Sequence, residues 1–169
     1  MESTNYLEEF RQGNYRAFDA FYEKTRRAVY FTALGILKDA SLAETVTQDT
    51  YIAFLQNVDS TRDFPDVQAY LIKTARNKSI NCYHAQKKVL LGEEHFETVG
   101  VEDTHDDGTV EAILGLLPRQ DEREIVVYHV LLGYKFREVA HFMNIPLGTI
   151  LWKYQKAMKQ LRKEVSTLL

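Results

Sequence analysis

The residues best suited to covalent chemistry are a cysteine and a histidine that lie close together in the chain. Cys82 and His84 fall in a segment with a helical pattern, where positions two apart project about 200° from one another. They therefore cannot serve one another as nucleophile and base. The carboxylates are scattered, and no glycine-rich nucleotide loop occurs. The sequence predicts neither an enzyme nor a bound cofactor.

Structural metals and disulfides are also not expected. The chain has a single cysteine and five histidines, and these never fall into a spacing that would hold zinc. Apolar residues make up 45% of the sequence, enough for packed cores. There is no apolar run of about 20 residues, and the N-terminus MESTNYLEEF lacks the pattern of a signal peptide. We expect a cytoplasmic globular protein that does not insert into a membrane.

The net charge of −3 hides an uneven distribution along the chain. Residues 1–89 hold 12 basic and 11 acidic side chains, residues 90–111 hold none and 8, and residues 112–169 hold 9 and 5. The acidic segment has no sustained apolar period, so we interpret it as a flexible linker between two small, independently mobile domains. A surface loop is the alternative, but unstructured loops above about 15 residues are uncommon within compact domains.

Helical periodicity dominates the chain, so the predicted fold class is all-α. The helix predicted from Pro65 to about Lys88 has one apolar face, and no acidic residue interrupts positions 67–92. Such unopposed cations suit a nucleic-acid backbone, although a solvated helix face is the commoner meaning of a charge run. Aromatic residues near its start could stack on bases or pack in the core. The outward-facing residues are Lys73, Arg76, Asn77, Ile80, His84 and Lys87, with Phe64 and Tyr70 at the N-terminal end.

The C-terminal segment has the pattern of a helix-turn-helix. Helical patterns cover residues 120–132 and then continue to Asn144, which can take the left-handed conformation that ends a helix. Pro146 stops continuation, and Thr149 is a candidate cap for the final helix. The side of that helix predicted to face the core carries Ile150, Tyr154, Ala157, Met158, Leu161 and Val165. Its outer side is basic, as expected of a DNA-reading helix: Trp152, Gln155, Lys156, Lys159 and Lys163.

Two segments of the N-terminal part stand out, residues 43–51 (AETVTQDTY) and residues 69–77 (AYLIKTARN), and they precede the helix-turn-helix pattern. In this order and separation, they resemble the core-binding and promoter-melting helices of the extracytoplasmic-function group of the sigma-70 family of bacterial RNA polymerase sigma factors. Residues 117–120 (LPRQ), 136–140 (FREVA) and 145–149 (IPLGT) are similar to its C-terminal helix-turn-helix. The resemblance extends from about Asn5 to Glu164.

The resemblance implies sigma region 2 at residues 1–89, a linker at 90–111 and region 4 at 112–169. It implies docking on core RNA polymerase through Glu44, Gln48 and Asp49. The −10 promoter element would meet Arg62, Phe64, Tyr70, Lys73, Arg76, Asn77, His84 and Lys87. The −35 element would meet Arg137, Thr149, Leu151, Trp152, Lys153, Gln155, Lys156 and Lys159. The implied partners are core polymerase, promoter DNA and an anti-sigma factor.

A different class of function stays open at this point. The chain could be a stand-alone helix-turn-helix regulator in which residues 1–89 sense a ligand or dimerise. Such a regulator would bind duplex DNA without polymerase and would usually do so as a dimer that matches two half-sites. A requirement for core polymerase would separate the two readings.

Overall fold

The protein is described by a computed structural model that covers residues 2–59, 66–90 and 108–168, with side chains for 6–59, 66–88 and 108–168. These residues are mostly helical, and no strand occurs among them. The all-α prediction is confirmed. The helices are α1 (Glu2–Arg11), α2 (Phe18–Leu37), α3 (Ala40–Gln56), α4 (Val67–Leu90), α5 (Gly108–Gly115), α6 (Gln120–Val126), α7 (Phe136–Met143) and α8 (Leu147–Leu168).

The N-terminal half, α1 to α4, is built around aromatic side chains. Phe10, Phe21 and Phe54 are almost completely buried, and the ring centroids of Phe21 and Phe54 lie 5.3 Å apart. Asp39 starts α3 because its carboxylate accepts a hydrogen bond from the Leu42 backbone N–H at 3.0 Å. These contacts fix α2, α3 and α4 against one another and set the orientation of their outer faces.

The C-terminal half, α5 to α8, contains the helix-turn-helix. Asn144 ends α7 with φ of 53°, the left-handed conformation expected from the sequence. Ile150 and its helical neighbours Ala157 and Leu161 are buried as predicted, whereas Val165 is 39% exposed. Val165 follows the last buried position of α8, so the helix extends past the core that it packs against. Thr149 lies within the first turn, because α8 begins at Leu147.

A short π-helix, Val127–Leu131, continues α6 where a regular α-helix to Leu132 was expected. Its Tyr128 side chain is completely buried. Burial raises the pKa of Tyr128 far above its ordinary value, so the phenol stays neutral. The π-helix places apolar side chains toward α2 of the N-terminal half.

The two halves pack against each other and share one hydrophobic core. This core joins Leu34 and Ile36 of α2 and Ile72 of α4 to Ile125 and Val127 of the C-terminal half. The sequence analysis expected two independently mobile domains, whereas in this structure the two halves share buried residues. The physical reason is that α4 has a second buried side, on which Ile72 is 1% exposed, besides the face that periodicity identified. We call this packing the closed arrangement.

The predicted linker at 90–111 is helical at its C-terminal end. Residues 108–111 belong to α5, because Val110 and Leu114 of this helix pack against the shared core. Leu90 ends α4 at the other boundary. Positions 91–107 of the predicted linker lie outside the described residues, so the division at 1–89 and 112–169 stays a prediction.

Candidate nucleic-acid interface

The outer face of α4 presents most of the cations that the sequence assigned to it. Lys73, Asn77, His84 and Lys87 are exposed, on the side of the helix opposite Leu71 and its buried neighbours. A 3.6-residue period places these four side chains along one surface. Arg62 and Phe64, assigned to the same function, lie outside the described residues.

Tyr70 is only half-buried and belongs partly to the aromatic core. Its ring lies 6.2 Å from the ring of Phe54, between centroids. The alternative of core packing, left open from the sequence, therefore applies to part of this side chain. The exposed part of the Tyr70 side chain lies near the N-terminal end of α4, one turn before Lys73, the first exposed cation of this helix.

Arg76 is engaged inside the molecule. Its Nε donates a hydrogen bond to Oε1 of Glu124 in α6 at 2.8 Å, and the Glu124 side chain is only 2% exposed. Burial raises the pKa of Glu124, while the Arg76 guanidinium acts in the opposite direction. The sequence placed Arg76 on an outward face, and the structure pairs it with the C-terminal half.

A cleft of about 710 Å³ separates α4 from α7. Lys73, Arg76 and Asn77 stand on its α4 wall, and Arg137 and His141 stand on its α7 wall. Gln68 of α4 donates a hydrogen bond to the Tyr134 hydroxyl at 2.8 Å across the two halves. The helix assigned to the −10 element thus faces the first helix of the helix-turn-helix.

The outer side of α8 carries the exposed residues predicted for a DNA-reading helix. Trp152 is 60% exposed, and Lys156 Nζ lies 5.4 Å from the centroid of its indole ring. Leu151, Gln155 and Lys159 are also exposed, and Thr149 is half-buried. Arg137 is exposed on α7, which precedes the turn. The amphipathic pattern therefore oriented α8 correctly.

Lys153 is the exception on α8, because it points toward α6. Its side chain is 13% exposed, and its Nζ donates a hydrogen bond to Oδ2 of Asp121 at 2.5 Å. Burial alone would raise the pKa of Asp121, but this hydrogen bond and the lysine charge bring the pKa below its ordinary value. The neighbouring Glu122 is buried and lies 3.6 Å from Lys156 Nζ. Lys153 thus holds α8 on α6 in this structure.

The candidate docking face lies on α3. Gln48 and Asp49 are exposed, and Glu44 is half-buried. Ile52 is 54% exposed one turn after Gln48, so an apolar side chain lies within the polar stripe. The sequence analysis gave Ile52 no role. Its position on α3 could have shown that it is exposed, because the helical period does not place it on the face that holds the buried residues Val46 and Thr50.

Arg123 of α6 was also not assigned from the sequence. Its guanidinium is buried and donates hydrogen bonds to the carbonyls of Gly35 at 2.7 Å, Leu117 at 2.8 Å and Ile36 at 3.4 Å. Gly35 and Ile36 lie in the last turn of α2, which has no basic residue of its own. Arg123 therefore supplies positive charge from the other half to this C-terminal helix end.

Metal and membrane sites are not apparent in the part of the chain that the structure describes. No group of three or more His, Cys, Asp or Glu side chains there could hold a metal ion. None of the helices over those same ranges combines the length and apolar character needed to cross a lipid bilayer.

Cys82 is half-buried on α4, and burial raises the pKa of its thiol.

Comparisons with known proteins agree with this architecture. A family model for sigma-70 region 2 matches residues 21–89. The extracytoplasmic-function sigma factor SigK of Mycolicibacterium vanbaalenii is 23% identical over 93% of this chain and 86% of its own length. SigM of Bacillus subtilis, of the same group, is 25% identical over 85% of this chain and 93% of its own.

A solved structure shows the same fold. It is the sigma factor RpoE of Bartonella quintana in complex with the anti-sigma factor NepR, with a TM-score of 0.72 and 19% identity over 88% of this chain and 96% of that chain. The region 2 match runs from within α2 to the last turn of α4, and the alignment with SigK extends over 93% of the chain. The chain therefore carries a sigma-70 region 2 at residues 21–89, and it is similar over most of its length to RNA polymerase sigma factors of the extracytoplasmic-function group.

Proposed function

We propose that this protein is a sigma factor that binds core RNA polymerase and directs transcription initiation at specific promoters. The observation that carries the proposal is the combination, in one chain, of a region 2 fold with a cationic face on α4 and a helix-turn-helix with an exposed basic α8. A stand-alone regulator needs only the second of these surfaces. The match of residues 21–89, which include α4, to sigma-70 region 2 therefore favours the sigma factor.

Docking on polymerase is assigned to the outer face of α3. Glu44, Gln48 and Asp49 would provide polar and charged contacts, and Ile52 adds an apolar anchor among them. Interface energy concentrates in a few well-buried side chains surrounded by polar contacts. An exposed isoleucine within a polar stripe supports that kind of surface.

Recognition of the −10 element is assigned to α4 with the preceding segment. Unstacking a base costs a few kcal/mol, and a protein that stacks on the base and hydrogen-bonds to it offsets that cost. Phe64 and Tyr70 are the stacking candidates, and Arg62 belongs to the same segment. Cations on α4 would hold the backbone of the opened strand: Lys73, Arg76, His84 and Lys87, with Asn77 as a polar contact.

Recognition of the −35 element is assigned to α8, inserted in the major groove. Lys156 and Lys159 would contact the phosphates on either side, while Leu151, Trp152 and Gln155 would face the base edges. Arg137 of α7 would contact the backbone. Lys153 would not contact DNA, because it is bound to Asp121 of α6; it would instead keep α8 in position.

An anti-sigma factor is the proposed regulatory partner. The solved relative from Bartonella quintana was determined in complex with such a protein. Its fold, shared over most of both chains, supports the same class of partner here. Extended surfaces of both halves are available to such a protein, including the exposed face of α3.

Transcription in vitro with purified core polymerase and a promoter library tests the function. We expect the chain to select a subset of promoters that share two elements, and to bind DNA much better with core polymerase than without it. A dimer that binds duplex DNA equally well without polymerase would contradict the proposal and support the stand-alone regulator.

A further inference from the structure

We infer that Glu122 of α6 is a positioning residue for recognition of the −35 element, because its buried carboxylate holds the Lys156 ammonium beside the Trp152 indole. The inference rests on the proposed sigma function and adds to it a side chain that sets the register of α8 on DNA. Glu122 does not touch DNA itself and acts through Lys156.

Glu122 and Lys156 meet where α6 packs on α8. The Glu122 side chain is 4% exposed, and its Oε1 lies 3.6 Å from Lys156 Nζ. This oxygen is shielded from solvent, and none of the residues that the structure describes gives it a hydrogen bond. Because a buried charge without compensation is unfavourable, the carboxylate is stabilised by an ammonium close to it. Glu122 therefore favours those conformations of Lys156 in which Nζ stays next to α6.

Trp152 restrains the same ammonium from the surface side. It precedes Lys156 by four positions, so the two side chains are neighbours on one face of α8. Lys156 Nζ lies 5.4 Å from the centroid of the indole, and the face of an aromatic ring attracts a cation. A lysine normally loses rotamer freedom when it binds. Between the carboxylate and the indole, Lys156 has lost part of that freedom before DNA arrives.

The neighbouring pair of Asp121 and Lys153 shows how much the separation matters. Lys153 donates a hydrogen bond to Asp121 at 2.5 Å, and its side chain is only 13% exposed, so this lysine is withdrawn from the surface. Lys156 is 48% exposed and is separated from its carboxylate by a longer distance. Asp121 thus removes one cation from the outer side of α8, whereas Glu122 keeps another accessible at a defined place.

A cation held in place contributes differently to recognition from a mobile one. Phosphate contacts fix the register and orientation of a protein on the duplex, whereas base contacts read the sequence. Lys156, held beside Trp152, would reach a phosphate only when the indole is in register with its bases. A lysine released from Glu122 would reach phosphates in many registers and strengthen sequence-independent binding. Glu122 therefore favours discrimination between sequences over affinity for DNA in general.

The test uses holoenzyme reconstituted from core polymerase and each variant. Two labelled promoter fragments are compared that differ only in the −35 element, one carrying the element selected by the unmodified chain and one a scrambled element. The variant is Glu122→Gln. The matched control is Glu111→Gln, which makes the same change of charge on α5, a helix with no surface assigned to DNA.

We expect Glu122→Gln to lower the ratio of the two affinities about fivefold, and to tighten binding to the scrambled fragment about twofold. Glu111→Gln should leave the ratio at the value of the unmodified chain. Equal ratios for the two variants would overturn the inference. An unmodified holoenzyme that binds both fragments equally well would instead overturn the proposed function.

A double variant tests whether Glu122 acts through Lys156. Lys156→Gln alone should also lower the ratio about fivefold, and adding Glu122→Gln to it should lower the ratio no further, because residues that act as a unit are not additive. A further fall in the double variant would show that Glu122 acts on the fold and not through Lys156, and would overturn the inference.

The emission of Trp152, the single tryptophan of the chain, gives a readout that needs neither DNA nor polymerase. Glu122→Gln and Lys156→Gln should shift the emission of the free chain in the same direction, because both take the ammonium away from the indole. Glu111→Gln should not shift it. If Glu122→Gln does not fold, Glu122→Asp takes its place, since it keeps the charge but draws the carboxylate back from Lys156. Unchanged emission of the folded Glu122 variant would overturn the inference.

Discussion

Replacing Gly35 by alanine should open the chain without altering any surface assigned to DNA or polymerase. The new methyl group would lie 2.9 Å from Cγ2 of Val127, which is completely buried and has little room to move. Overpacking of this kind costs about 1–3 kcal/mol. This cost applies only while the halves are in contact.

The closed-to-open ratio should therefore fall by about 5-fold to 150-fold, since each 1.4 kcal/mol is a factor of ten. Alanine also stabilises an exposed helix interior by about 1 kcal/mol relative to glycine. That gain within α2 is present in both states and cancels from the ratio. When the closed state dominates, apparent affinity for a ligand of the open state rises in proportion to the open fraction.

The assay is fluorescence anisotropy of a labelled single-stranded oligonucleotide that carries the selected −10 element, titrated with free Gly35→Ala chain. Gly115→Ala is the matched control, because an added Cβ there meets nothing within 4 Å. Val127→Ala combined with Gly35→Ala should restore tight packing and lower the affinity again. The reasoning is refuted if Gly35→Ala and Gly115→Ala bind the oligonucleotide equally well.

Three further outcomes are expected. Asp49→Lys should reduce retention on immobilised core polymerase with an unchanged circular dichroism spectrum, and normal retention would contradict docking through α3. Duplex carrying the selected −35 element should change the emission of Trp152, and Lys159→Ala should reduce the salt slope of that binding by about 0.9. Because Lys153 lowers the pKa of Asp121, the stability it adds is present above the unfolded pKa and is lost as pH falls through the folded value. Asp121→Asn should remove this loss of stability. If the free energy of unfolding, measured by urea denaturation at a series of acidic pH values, falls equally in both chains, the prediction is contradicted.

Local features were predictable because each depends on a few neighbouring residues. Asn144 before Ile145-Pro146 indicated the end of a helix, and the left-handed conformation is present there. The period of α8 separated buried Ile150 and Leu161 from exposed Trp152. A side chain's direction on a regular helix follows from position alone, so these assignments needed no knowledge of the partner helix.

Contacts between the halves were not predictable by the same reasoning. Periodicity placed Arg76 on an outer face, but it cannot say that Glu124, 48 positions away, meets that face. Lys153 followed the basic pattern of α8 and was assigned to DNA, although Asp121 binds it. In both cases the partner residue is remote in sequence, and the period of a single helix carries no information about it.

The shared apolar core has a thermal consequence. Opening the chain would transfer side chains such as Leu34, Ile36 and Val127 from the core into water. Hydration of apolar surface raises the heat capacity, so the free energy of opening varies with temperature along a curve that has a maximum. Below that maximum the hydrophobic contribution to closure weakens on cooling. Chilling would then shift the chain toward its open form with no change in ligand, pH or sequence.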